Sequence, residues 1–299
     1  MKTQQLNNLK TQQLNNLKTQ QLNNSTMKRI FCLGIFWSLC LIMQAQSYNR
    51  LVEQAMEYTR KDSLKQAEQL FRQALKVDAS NARNALVFSN LGTILKRQGR
   101  VDEAVDAYTM ALNITPYATS ILLNRAALYL DRNLLDKAYV DYCNVIDLIP
   151  ENREARLFRA YINMQRRQYD EARMDYNTVL LKDSKNHTAR LGLIMLDQKE
   201  GRLLAARDGL NQLIEEAPQD VSLLKMRANL ELEQGYPDVA LASVDEAIEK
   251  APEDADAYVM KGDIYLLLKK KKEARNAYER AVELGISRVE VMDKLRECK

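Results

Sequence analysis

Ala85 to Ala118 reads ALVFSNLGTILKRQGRVDEAVDAYTMALNITPYA. Ala104, Tyr108 and Ala111 stand four and three residues apart, which places them on one stripe of a helix that must be buried against something. Gly92, twelve residues before Ala104, marks a preceding helix whose small side chain lets the two backbones approach closely. Gly99 suits the turn between the helices, and Pro116, twelve residues after Ala104, ends the second one through its missing amide and ring clash.

Outward from this stretch the same pattern recurs. Its alanine returns as Ala67, Ala104, Ala138, Ala172, Ala206, Ala240 and Ala274, every interval being 34 residues except the first, at 37. Four residues later come Phe71, Tyr108, Tyr142, Tyr176, Leu210, Val244 and Tyr278. Twelve residues earlier stand Ala55, Gly92, Ala126, Ala160, Ala228 and Gly262, with Ile194 the exception. Pro150, Pro218 and Pro252 repeat the stop at Pro116, while Gly201 and Gly235 repeat the turn at Gly99. Self-similarity at a fixed period of this length predicts a solenoid of stacked helix pairs.

The pattern resembles the tetratricopeptide repeat, most closely in Phe88, Leu91, Gly92, Ala104, Tyr108, Ala111 and Pro116, and in Tyr258, Gly262, Tyr265, Ala274, Tyr278 and Ala281. The resemblance implies an all-α, right-handed superhelical α-solenoid of about seven helix-turn-helix units over 48–286. A capping helix is expected over 287–299, where Val289, Met292 and Leu295 alternate with polar side chains. Arg156 and Arg190 replace the family's early aromatic, and Asn163, Asp197 and Glu231 its later one. These central units are expected either to pack less tightly or to use the polar positions on a lateral face.

Residues 1–26 hold a low-complexity octad, Lys-Thr-Gln-Gln-Leu-Asn-Asn-Leu, which fits no helical period and reads as a tandem duplication upstream of the natural initiator, Met27. Lys28 and Arg29, the apolar run Ile30 to Met43, and Ala45 describe a signal peptide over 27–46, too short for the ~20 residues of a membrane span. Export to the periplasm or cell envelope is the expectation, with membrane contact only if the signal stays uncleaved. The full sequence has 44 basic and 40 acidic side chains, but the segment before Ser47 holds five of the basic ones and no acidic one. The mature chain is thus nearly neutral, which gives no basis for nucleic-acid binding. Lys269 to Lys272, the only basic run, reads as a solvated turn.

Of four cysteines, Cys32 and Cys40 leave with the signal. Cys143 and Cys298 lie about five repeats apart, and helices spaced about 8–10 Å keep them beyond the ~7 Å limit for a bridge. Cys143 is expected to be buried and inert, whereas Cys298 near the chain end could react or pair between chains. A single histidine, His187, provides no histidine-rich metal site. No phosphate-cradling glycine loop, paired-cysteine metal spacing or nucleophile elbow accompanies it. The expectation is a non-enzymatic protein without cofactor or metal.

Within the resemblance, set positions of each first helix face a groove. Here they are Leu123, Ala127, Leu157, Phe158, Tyr161, Met164, Leu191, Met195, Met226 and Met260, an apolar, methionine-rich surface. The second repeat places Ser89, Asn90, Thr93, Lys96 and Arg97 there, a more basic stretch. First helices also touch one another, so about half of these side chains are expected in ordinary packing; Tyr161, Met195 and Met226 are the preferred contacts. Lys225 and Asn229 match the first two members of the family's carboxylate clamp. Met260 and Glu290 stand where asparagine and lysine are needed, with only Lys294 as a partial match, so a complete clamp is not expected. The implied function is a scaffold that holds a partner protein's peptide or helix in the groove. The alternative is a structural subunit of an envelope assembly or homo-oligomer built through outer or end surfaces.

Overall fold

The computed structural model describes residues 46–299. The octad over 1–26, and the expected signal over 27–46 apart from Gln46, lie outside the described residues. The chain is all-helical: α1 (46–60), α2 (Leu64–Val77), α3 (Asn84–Arg97), α4 (Val101–Ile114), α5 (Thr119–Asp131), α6 (Leu135–Leu148), α7 (Arg153–Gln165), α8 (Tyr169–Lys182), α9 (His187–Lys199), α10 (Leu203–Glu216), α11 (Val221–Glu233), α12 (Pro237–Lys250), α13 (Ala255–Leu267), α14 (Lys271–Glu283) and α15 (Met292–Glu297). Odd-numbered helices through α13 are the first, and even-numbered ones the second, of seven successive pairs. Two compact units divide the chain between Leu134 and Leu135, inside the third pair, so α1–α5 form the first unit and α6–α15 the second. Among the described residues no helix is long and apolar enough to cross a membrane.

The turn inside each pair has one geometry. Asp62, Gly99, Asn133, Arg167, Gly201, Gly235 and Lys269 all have φ between 56° and 81°. The amide that follows each bonds back five residues, as in Arg100 N–H to Leu95 O at 2.9 Å and Gln168 N–H to Asn163 O at 2.8 Å. This Schellman closure satisfies the last carbonyls of the first helix and needs a left-handed residue. Glycine supplies it in three pairs; elsewhere the side chain is tolerated and the close is the same.

Between pairs, Asn152, Asn186, Asp220 and Asp254 recur at 34-residue intervals as N-caps, accepting from Ala155, Ala189, Ser222 and Ala257 N–H. Second helices end at Ile114, Leu148, Glu216 and Lys250, each two residues before Pro116, Pro150, Pro218 or Pro252. The first interval of 37 is explained by a longer connection between α2 and α3, over 78–83, where the others have four residues, and by one extra residue at the start of α3. Asn84, the first residue of α3, is buried, donates back into that connection to Asp78 O at 2.8 Å and accepts from the Tyr48 hydroxyl at 2.9 Å.

The cores are those of the repeated stripe. In the first unit Tyr48, Ala55, Ala67, Phe71, Ala74, Val87 and Ile94 pack together; in the second, successive clusters gather around Tyr176, Leu210, Val244 and Tyr278. Each buried ring or branched side chain contributes roughly 1.5–3 kcal/mol. Ile194, large where the other copies are small, faces Gly209 on α10: a Cβ there would stand 2.9 Å from Ile194 Cγ1. The close approach survives with the small partner moved to the second helix.

Residues after α14 form turns and the six-residue α15, shorter than the helix expected over 287–299. Val291 and Cys298 seal against Ala274 and Tyr278.

Candidate functional site

Along α7, Glu154, Phe158, Tyr161 and Gln165 follow offsets of four, three and four and share one helical face. At 34-residue steps the same face carries Thr188, Gly192, Met195 and Lys199 on α9; Ser222, Met226, Asn229 and Glu233 on α11; and Asp256, Met260, Asp263 and Leu267 on α13. Contacts tie these helices side by side: α7 packs on α9, Gln198 of α9 donates to Glu233 of α11 at 2.7 Å, and Lys225 of α11 reaches Asp254, the cap of α13, at 2.7 Å. The first helices of the second unit thus present a continuous surface.

Phe158, Tyr161 and Met195 are 37%, 43% and 39% exposed, large apolar groups among buried and half-buried neighbours. Phe158 is held in place by stacking on Tyr142, with ring centroids 5.5 Å apart. Asn229 is also exposed. The remaining expected groove residues of this unit are half-buried. Leu157 and Met164 pack against the cluster around Tyr176, whose hydroxyl lies 3.4 Å from Met164 Sδ. Leu191 and Met226 pack against the cluster around Leu210, and Met260 against that around Val244. Leu123 and Ala127 are half-buried on α5 of the first unit. In that unit Thr93 bonds the Tyr108 hydroxyl at 3.1 Å and Arg97 pairs with Asp62 at 2.6 Å, so part of the basic stretch is already engaged.

The basic groups that partly matched a carboxylate clamp are occupied. Lys225 binds Asp254, and Lys294 of α15 binds Asp263 at 2.6 Å. Burial alone would raise the Asp254 pKa, but the Lys225 ammonium and the Ala257 N–H outweigh it and hold the carboxyl below its usual range. Asp263 also accepts from the Tyr278 hydroxyl at 2.6 Å; burial first, then this carboxylate, pushes the phenol pKa up.

Four of the five polar replacements in the central copies find partners, Arg190 pairing with Glu216 at 2.6 Å, whereas Asn163 Oδ1 is buried with no hydrogen-bond partner among the described residues. Asp175, 1% exposed, accepts from Arg156 at 2.6 Å and from both Nε and a terminal nitrogen of Arg159 at 2.8 and 2.9 Å. Asp197 pairs with Arg173 and Arg202. Buried Glu231 accepts from Ser243, which in turn accepts from Arg227. Nothing in the repeated apolar pattern marks these partners, which become neighbours only when helices stack. Stacking also leaves two lateral cavities, of about 230 Å³ beside Phe88, Leu95 and Ala107 and about 270 Å³ beside Tyr258, Tyr265 and Ala277, at equivalent positions of the second and seventh copies.

Two cysteine expectations change. Cys143 is half-buried rather than buried, with a terminal nitrogen of Arg159 3.5 Å from its sulfur. Cys298 is buried, its thiol 3.2 Å from Lys294 O and its pKa raised by burial, because α15 folds back onto α14. Lys269 to Lys272 are exposed; Lys269 and Lys270 lie in the turn the sequence predicts, whereas Lys271 and Lys272 open α14. Among the described residues no three His, Cys, Asp or Glu side chains are arranged to hold a metal.

Family models described as tetratricopeptide repeat match residues 52–119, 163–230 and 225–288. Among solved structures, the chain is similar to a tetratricopeptide repeat protein from Parabacteroides merdae, at 31% identity and a TM-score of 0.67 over 85% of this chain and 99% of that one. PilF of Pseudomonas aeruginosa is similar at 17% identity and a TM-score of 0.52, over 70% of this chain and 94% of that one. MamA of Desulfovibrio magneticus is similar at 13% and 0.54, over 57% and 97% respectively. These last two likenesses concern the fold alone. No curated protein matches. With a full-length relative at this identity and the repeat matched in both units, the chain belongs to the tetratricopeptide repeat family.

Proposed function

We propose that this protein is a non-catalytic scaffold whose first-helix face in the second unit captures a segment of a partner protein. Tetratricopeptide repeats act in protein–protein interaction and peptide binding, and the family is typically non-catalytic. The observation that carries the reading to a particular face is the exposure of Phe158, Tyr161 and Met195 side by side, since aromatic and methionine side chains at a surface supply adaptable anchoring area. Export to the cell envelope is part of the proposal and rests on the basic and apolar sequence of residues 28–45.

The test is recovery of cross-linked partners from fractionated cells with wild type and with Tyr161→Glu/Met195→Glu, alongside the mature N-terminus. Loss of capture by a variant of unchanged helicity supports the face; undiminished capture overturns it. An intact N-terminus in the cytoplasm overturns export.

A second reading is favoured by Val140 and Met174, 34 residues apart on α6 and α8, which are 56% and 62% exposed. They suit an assembly built through second helices. It predicts a stoichiometric particle in light scattering that Val140→Glu/Met174→Glu disperses.

A further inference from the structure

The same face has a charge pattern that narrows its occupant, and the narrowing rests on the binding reading above. Its exposed apolar side chains are Phe158, Tyr161 and Met195 on α7 and α9 and Leu267 at the end of α13, while the Tyr161 position becomes Asn229 on α11 and Asp263 on α13, beside Glu233 and Asp256. Two of its basic groups are consumed internally, Lys225 by Asp254 and Lys294 by Asp263. Glu154, Glu233 and Asp256 are exposed and form no ion pair among the described residues, against Lys199 alone on the basic side. Glu233 accepts from neutral Gln198, which leaves its charge uncompensated. A carboxylate-bearing ligand would meet three unpaired carboxylates against the single cation of Lys199.

We infer that the occupant is an apolar segment with a basic end, its apolar residues over Phe158, Tyr161 and Met195 and its lysines or arginines beside Glu233 and Asp256. Three steps between neighbouring helices, at about 8–10 Å each, span about 25–30 Å. An extended chain covers that in roughly eight or nine residues. This is the reverse in charge of the acidic terminus that a carboxylate clamp would take.

The experiment uses the full chain and three fluorescein-labelled 12-residue peptides that share a Leu-Phe-Leu-containing half. The other half carries four lysines, four glutamines or four glutamates, and binding is read by anisotropy at low and high salt. The expected result is that the lysine peptide binds about tenfold tighter than the glutamine peptide, the sum of a few exposed charge contacts, and loses that advantage at high salt. The glutamate peptide should bind weakest, and Glu233→Lys/Asp256→Lys should invert the order. Equal binding of all three, abolished by Tyr161→Glu/Met195→Glu, overturns the charge inference and leaves the binding face standing. Binding that ignores Tyr161 and Met195, or no binding by any peptide, overturns both.

Discussion

The ring of Tyr176 lies directly beneath Gly192, where a Cβ would stand 2.3 Å from Tyr176 Cζ. Gly92 and Gly262 are covered in the same way by Tyr108 and Tyr278, each sixteen residues later in the same copy. In the fifth copy the ring comes instead from α8, sixteen residues earlier, and joins one pair to the next. Gly192→Ala must displace a buried aromatic ring, so a loss of about 1–3 kcal/mol is expected from urea unfolding. An unchanged midpoint would mean that the ring has room to retreat.

Ala118 occupies the N-cap position of α5 with φ −74° and ψ 93°, extended backbone of the kind that Asn152 and Asp254 adopt where they cap α7 and α13. It has no side-chain oxygen to offer. Ala118→Asp should add about 1 kcal/mol, and Asn152→Ala should remove about as much. Thermal unfolding of the two variants would show shifts of opposite sign.

Arg167 and Lys269 hold φ of 60° and 59° at the position where Gly99, Gly201 and Gly235 stand in other copies. A side chain in this region costs roughly 1–2 kcal/mol, and glycine avoids most of that while losing more chain entropy. Arg167→Gly and Lys269→Gly should each stabilise by about 1 kcal/mol, whereas Gly201→Ala should destabilise. Amide exchange of the turn residues would report the change locally.

The Asp254 carboxyl is depressed below its unfolded value of about 3.9 through Lys225 and the α13 cap. Its stabilisation is therefore fully present above that value and is lost as pH falls through the lower folded pKa. Asp254→Asn keeps a capping oxygen and loses the charge, so its melting temperature should lie below wild type at pH 7 and converge with it only as pH falls below the depressed folded value. A constant gap would place the effect in the cap alone.

Much of the fold is legible in the sequence because a repeat states its pattern seven times. Alanines at 34-residue spacing locate the second helices, the prolines locate their ends, and the structure follows both. The turn was legible at Gly99, Gly201 and Gly235 and from the basic run at Lys269, but not at Arg167, where hydrogen-bond closure overrides an unfavourable side chain. Ile194 reads as a break in the pattern until Gly209, fifteen residues on, is seen to make room for it. On the candidate face, the family positions include the exposed Phe158, Tyr161 and Met195 together with half-buried Leu157, Met164 and Met226. Periodicity alone does not separate them, because one helical stripe contributes both to packing and to surface.

By itself, the sequence determined the helical class, the number and period of the pairs, and the near-neutral balance that follows if the basic leader is removed. These depend on local spacing and composition, which a linear chain displays directly. Only the tertiary structure decided which face residues stay exposed, that Lys225 and Lys294 are already paired, and that Asp175 is held between two arginines. Those outcomes depend on side chains some 16 to 31 residues apart meeting across stacked helices, and burial and charge pairing are properties of that meeting rather than of either residue.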